Sequence, residues 1–228
     1  MNEEQPTGSP FDVREIDRLL ATTKAVRKRL DLERRVPVDV VLDCLRAATQ
    51  APNASNAQTW RWLVVADPAV RRSLGQLYRA HITPPMQALL DARRASGDAA
   101  GVRHSESVLY LGEVFGAVPV IVAPCFEGRL ESSWSLDRAT GLLGSIYPAV
   151  WSFQLALRSR GLGSTFTTAH VLFEREAREL LGVPDTHTIA CLLPVAYTKG
   201  TEFRPAPRVP VEDVTFVDTW GSHPPHAR

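Results

Sequence analysis

Apolar residues recur along this chain with two periods, and each change of period marks an element. In DVREIDRLLATTKAVRKRL, Val13, Ile16 and Leu20 stand at helical spacing. They follow Ser9-Pro10, which has the cap-then-proline form of a helix start. A second helix is predicted from Pro37, where Val38, Val41, Leu42, Leu45 and Ala48 make one apolar stripe. Pro52 ends it, because the residue before a proline is pushed out of the α region and Ala51 therefore closes the helix. WRWLVVA, from Trp60 to Ala66, reads as a buried strand, and Asp67-Pro68 opens a third helix whose inner face is Val70, Leu74, Leu77 and Tyr78.

Residues 82–104 carry Pro84-Pro85 and a run of small residues, and are expected to form a less regular, mobile helical excursion. Ser105 to Phe115 reads as helix and VPVIVA, from Val118 to Ala123, as a second buried strand. Glu127 to Gly144 is expected to be loop with a short helix. From Ser145 to Arg160 the chain has its most apolar helical pattern, with Ile146, Val150, Phe153, Ala156 and Leu157 at three- and four-residue spacing, and Gly161 suits a left-handed cap behind it. A short helix, Phe173 to Leu181, is closed by Gly182 and Pro184, and TIACLLPVAY reads as a third strand. The proline-rich stretch from Thr201 offers one further strand, Asp213 to Val217.

The sum is an α+β protein, a few buried strands with helices on both faces. Residues 1–9 are expected to be disordered, 10–220 to form a single domain and 221–228 a flexible tail. With 228 residues the chain suits one core, since domains of about 200 residues are common. The tail has no obvious sheet partner within the chain, the behaviour of a segment that packs on a second copy.

Charge narrows the function. The net charge is +1, from 26 basic and 25 acidic side chains, so there is no electrostatic case for nucleic acid and any cationic site must be local. Cys44, Cys125 and Cys191 are isolated and odd in number, which points to reduced thiols in a cytoplasmic protein rather than a disulfide framework, and no metal site is expected. MNEEQPTGSPF lacks the apolar core of a signal peptide, and no apolar run approaches the roughly 20 residues of a membrane span. There is no GxSxG elbow and no P-loop. The His104-Ser105-Glu106 triplet lacks the PCxxC partner of a zinc deaminase. The glycines of Gly161-Leu162-Gly163 follow a helix, whereas a dinucleotide fingerprint follows a strand. Any nicotinamide must then bind without a Rossmann domain.

Three polar groups remain. Lys24, Arg27 and Lys28 would share one face of a helix. Taken alone they are a solvated stripe; together with other donors they are a phosphate clamp, a task suited to cationic forks. Asn53, Ser55, Asn56 and Gln58 read alone as a capping turn, or else as the polar wall of a flat, heteroatom-rich ligand. Ser164, Thr165, Thr167 and Thr168 surround Phe166 and read alone as an edge strand.

Set in order, these segments resemble the FMN-dependent nitroreductase family from about Thr22 to Trp220. TTKAVRKRL matches its basic segment, APNASNAQTWRWLVV its AP-S-x-x-N-x-Q-P-W block, SFQLALRSRGLGSTFTT its long central helix and GLG turn, and PAPRVPVEDV its closing basic residue. The resemblance implies a central mixed, mostly antiparallel sheet flanked by helices, and a homodimer with FMN in the subunit interface and a C-terminal extension packing on the partner. It implies that Lys24 and Arg27, with Arg208, face the FMN phosphate, Ala25 lying between them. Pro52, Asn53, Ala54 and Asn56 would line the cofactor from the other subunit. Thr165, Thr167 and Thr168 would run past the flavin ring near N5, and Trp60 would be core packing. Tyr110 and Phe115 are candidates for the substrate side.

The sequence also departs from the family pattern. Thr23-Lys24-Ala25 stands for a frequent Arg-Arg-Ser, Asn53 for a frequent Ser and Thr59 for the usual Pro. The implied activity is hydride transfer from NADH or NADPH through FMN to nitroaromatic, quinone or similar acceptors by a ping-pong cycle. The chemistry then lies at flavin N5 and no catalytic side chain is assigned. The alternatives are a specialised flavoenzyme acting on one metabolite and a non-catalytic flavin-binding dimer.

Overall fold

The computed structural model describes residues 10–129 and 135–224. The expected disorder of 1–9 and part of the expected flexible tail, 225–228, lie outside them. Six helices are described: α1 (Val13–Thr22), α2 (Val38–Ala48), α3 (Pro68–Ala95), α4 (Ala99–Val114), α5 (Leu136–Ser159) and α6 (Glu174–Leu181). Five strands accompany them: β1 (Trp60–Val65), β2 (Val120–Glu127), β3 (Leu162–Ser164), β4 (His187–Ile189) and β5 (Leu193–Tyr197). Contacts gather into two compact units, residues 23–202, and a smaller one of residues 1–22 with 203–228.

In the larger unit the strand order is β1-β2-β5-β3, with β4 also on β2, and every pairing is antiparallel. β2 is buried along all but its last residue, as a central strand covered on both faces must be. Val120, Val122 and Phe126 point into one cluster with Val41, Cys44 and Leu45 of α2 and Ile146, Val150, Phe153 and Leu157 of α5. Phe153 is fully buried there, so truncating it to Ala would cost about 3–5 kcal/mol. The alternate residues of β2, Ile121, Ala123 and Cys125, face the other side. No described helix is long and apolar enough to cross a membrane.

TIACLLPVAY is two strands rather than one. Cys125 pairs with Ile189 and Val122 with Leu193, so Ala190, Cys191 and Leu192 oppose Ala123 and Pro124, a bulge between β4 and β5. Proline has no N–H for the ladder, but its carbonyl accepts from Ala190 N at 2.8 Å. The freed Leu192 then exchanges both backbone bonds with Thr167.

Two expectations of irregularity are overturned. α3 continues through Pro84 and Pro85 for 28 residues. Ile82 and Leu90 are buried, and Arg93 of α3 donates to Ser105 Oγ of α4 at 2.7 Å, so the two helices form a tied hairpin and packing outweighs the lost amides. The helix expected from Ser145 starts nine residues earlier, at Leu136.

Regularity fails where the basic segment was expected to be helical. α1 is capped by Asp12 Oδ1, which accepts from Arg14 N at 3.0 Å, and it stops at Thr22. Beyond it, Val26 N–H bonds the Ser164 carbonyl at 2.9 Å, and Leu30 bridges Thr198. Val26 and Leu30 are buried, and covering the sheet edge with them outweighs helix continuation. In the smaller unit, Val211–Val214 is a 3₁₀ turn where a strand was expected, and Phe216 packs against Trp220 and His223.

Candidate functional site

The strongest polar feature of the larger unit is a strip along the β3 edge. Gly161, at φ +74°, turns the chain out of α5 into β3. Gly163 then lets the basic segment cross, since a Cβ there would stand 3.0 Å from Val26 Cβ and 2.7 Å from Thr198 Cγ2. The Val26–Ser164 bond sets Arg27 and Thr165 on either side of the crossing. Gln154, a polar residue on the buried face of α5, holds Ser164 Oγ at 3.0 Å.

The hydrogen-bond accounting of this strip is incomplete. Arg27 Nε and Thr165 Oγ1 are buried and have no partner among the described residues. Thr165 is fully buried. Burial lowers the Arg27 pKa, which the neighbouring Tyr78 opposes. The Tyr78 phenol is raised by its own burial, and Thr167 and Arg27 pull it down. Tyr78 Oη lies 3.4 Å from Thr167 Oγ1, and that hydroxyl also accepts from Ala169 N at 3.3 Å. His104 of α4 is pulled below its ordinary value by burial and then by the charges of Arg27 and Arg93. A buried donor and a buried hydroxyl without partners cost about 1–3 kcal/mol each, and an acceptor-rich ligand would recover that cost.

Pro52 to Gln58 form a different kind of site. Ser55, Asn56 and Gln58 all have φ near +50°, a left-handed conformation costly for side-chain residues and concentrated at functional sites. Asn53 Oδ1 accepts from Gln58 N at 3.0 Å, and Ala54 N donates to Ser145 Oγ at 3.0 Å. The turn does not cap α2, whose last carbonyls are taken by Thr49, Gln50 and Ala51; its own backbone amides at Ala54, Asn56, Ala57 and Gln58 are committed within the turn and to Ser145. A cavity of about 160 Å³ beside the turn is lined by Asn53, Ala54, Arg138 and Leu142 among others, and by none of Lys24, Arg27, Thr165 or Thr167. Trp60 is core, as expected.

Other predicted residues scatter. Lys24, Ala25 and Thr168 are exposed on the strip, and Pro52 and Asn56 on the turn. Arg208 lies in the smaller unit, exposed, with Nη1 on the Pro207 carbonyl at 3.1 Å. Tyr110 is half-buried. Phe115 is fully buried and stacked on Tyr78, ring centroids 4.1 Å apart, so it has no face for a substrate and is corrected to a packing residue.

Tyr78, Gln154 and Ser145 are the residues that sequence reasoning missed. Tyr78 stood on an apolar helix face and read as packing. Gln154 carried a usable signal, an amide inside the most apolar helix. Nothing local marked Ser145.

A helix-flanked antiparallel sheet with a polar strip at the end of its long central helix defines a class of α+β domain. The nitroreductase family profile matches residues 20–197, and the chain belongs to the nitroreductase family. It is 28% identical over 216 residues to an NADH dehydrogenase of Thermus thermophilus, covering 86% of this chain and 95% of that protein. It is 25% identical over 202 residues to iodotyrosine deiodinase of Thermotoga neapolitana, covering 86% and 93%. Among solved structures, oxidized iodotyrosine deiodinase bound to FMN and 3-iodo-L-tyrosine shares the fold, with a TM-score of 0.63 and 23% identity over 86% of this chain and 94% of that one.

Proposed function

We propose that the protein is an FMN-dependent oxidoreductase that takes hydride from NADH or NADPH and delivers it to an electron-poor acceptor such as a nitroaromatic or quinone. The observation carrying this reading is the pair of buried, unpartnered groups, Arg27 Nε and Thr165 Oγ1, on one sheet edge. FMN fits them, offering phosphate oxygens and ring heteroatoms as acceptors. When bound, it supplies the two-electron chemistry.

Within this reading, Lys24 and Arg27 neutralise the phosphate, Ala25 between them leaves room for its approach, and Arg208 adds a third cation. Thr165 and Thr168 lie against the ring. Thr167 is a brace: its amide is held by Leu192 and its hydroxyl by Tyr78 and Ala169, so it positions its neighbours. Pro52, Asn53, Ala54 and Asn56 close the site from a second copy of the chain, which accounts for a turn whose cavity shares no lining residue with the strip. The proposed assembly is a homodimer working in the cytoplasm, with Tyr110 on the substrate side.

The test is flavin titration followed by anaerobic reduction. FMN should bind, NADH or NADPH should bleach its absorbance, and a quinone should restore it. Protein that does not bind FMN, or bound FMN that neither nicotinamide bleaches, would overturn the reading. The 25% identity to a deiodinase favours a second reading, a reductive dehalogenase of an aromatic substrate. Iodide release from an iodophenol, with slow quinone turnover, would select it.

A further inference from the structure

A groove of about 410 Å³ runs between the first turns of α3 and the end of α4, and neither the strip nor the turn contributes to its lining. Arg71, Arg72 and Arg79 stand along it against one carboxylate, Glu113. Arg79 pairs with Glu113 at 3.1 Å. Arg71 donates to the carbonyls of Ala66 and Val118. Arg72 makes no ion pair or hydrogen bond among the described residues, and Gln76 beside it is exposed. The floor is backbone. Gly75 and Gly116 meet so closely that a Cβ on Gly75 would stand 2.5 Å from Gly116 N, and no side chain can fill the groove there.

The charge arrangement is unfavourable to the fold itself. Arg71 and Arg72 are the fourth and fifth residues of α3, at the end of its first turn, where the helix dipole disfavours cations. They also disfavour each other: burial lowers the Arg71 pKa, and the Arg72 charge lowers it further. Asp67, whose carboxylate caps Ala69 N and Val70 N, offsets part of this by its charge. Those amides are therefore committed, and recognition here falls to guanidinium groups, which suit phosphate oxygens in paired geometry.

Arg71 also walls a second cavity of about 350 Å³ that shares Pro68 and Ala117 with the first and adds Arg35, Leu32, Val36 and Pro119. The cationic groove thus adjoins a recess of mixed lining, in which Leu32, Val36 and Pro119 stand beside Glu33 and Arg35.

We propose that the Arg71–Arg72–Arg79 groove is a second ligand site, separate from the Arg27 strip, that binds a di- or triphosphate group. Inorganic pyrophosphate and nucleoside phosphates share that chemistry, and the recess distinguishes them.

The experiment is calorimetric titration of the protein in excess FMN, at low ionic strength, with pyrophosphate and separately with ADP. One-to-one binding of pyrophosphate is expected, weakened about tenfold or more in Arg72→Ala/Arg79→Ala, the scale of lost charge-assisted bonds. Flavin absorbance should not change during the titration. Tighter binding of ADP than of pyrophosphate would assign the recess to the base; equal affinity would assign the groove to the phosphates alone. Arg72→Glu, a single exposed position, serves as a second variant should the double variant unfold. Absence of binding, or equal binding by wild type and Arg72→Glu, would overturn the proposal.

Discussion

The β3 strip and the 52–58 turn have similar polar composition and opposite hydrogen-bond accounting. In the turn, Asn53 Oδ1 takes the Gln58 amide and Ser145 Oγ takes the Ala54 amide, so the polar groups hold the loop itself together. In the strip, Arg27 Nε and Thr165 Oγ1 are buried with no partner among the described residues. The first region stores its polarity as conformation, including three left-handed residues; the second keeps it available. Polar residues in a row therefore do not identify a binding surface; two unsatisfied buried groups brought together on one sheet edge make a candidate for one. In the proposed dimer the turn contributes shape and the strip contributes donors.

Four measurements test this contrast. Arg27→Ala should weaken FMN binding by about 1–3 kcal/mol in a fluorescence titration, the scale of lost charge-assisted bonds, while leaving the ligand-free melting temperature unchanged or higher. A ligand-free protein that melts much lower would mean Arg27 has a structural partner and the strip is not open. Gly163→Ala should destabilise by about 1–3 kcal/mol in urea unfolding, because its Cβ would displace Val26 or Thr198. Unchanged stability would show that the crossing tolerates movement, and with it the placement of Arg27.

A pH experiment probes the far end of the same strip. His170 is buried, its Nε2 lies 2.8 Å from the Ile189 carbonyl, and its Nδ1 has no partner among the described residues. Burial depresses its pKa, with the Ile189 bond and Glu174 opposing. The unfolded chain therefore binds a proton that the folded protein resists. Stability contributed this way is complete above the unfolded value of about 6.5 and declines as pH falls below it, by at most about 1.4 kcal/mol per unit. His104 is displaced in the same direction, so unfolding measured from pH 7.5 to 5 should show a slope that His170→Gln reduces. An unaltered slope would remove His170 from the account.

The smallest effect belongs to the turn. Asn53→Ala should cost about 0.5–2 kcal/mol of stability, as loss of a side-chain cap does, with a smaller change in FMN affinity than Arg27→Ala. A larger loss of FMN affinity than of stability would reverse the contrast between the two regions.

Much of the architecture was legible because burial imposes period. β1, α2 and the Gly182 cap fall on the apolar run, the stripe and the glycine that predicted them, and β2 overlaps its predicted run but continues to Glu127. Local rules failed where a distant neighbour outweighed them. Pro84 and Pro85 mark a break by any local rule, yet α4 holds α3 continuous. Lys24, Arg27 and Lys28 fit a helical face, yet Ser164 takes the Val26 amide and unwinds it. Tyr78 read as packing because its ring packs, and only the sheet shows that its hydroxyl reaches Thr167.

Fold class, family resemblance and the short list of polar segments were all readable along the chain, because they follow from periodicity and from residue types in order. The tertiary structure decided which of those segments still have hydrogen bonds to give. That property belongs to pairs of groups: Asn53 is committed because Gln58 folds back onto it, and Thr165 is available because burial excludes water while bringing it no partner.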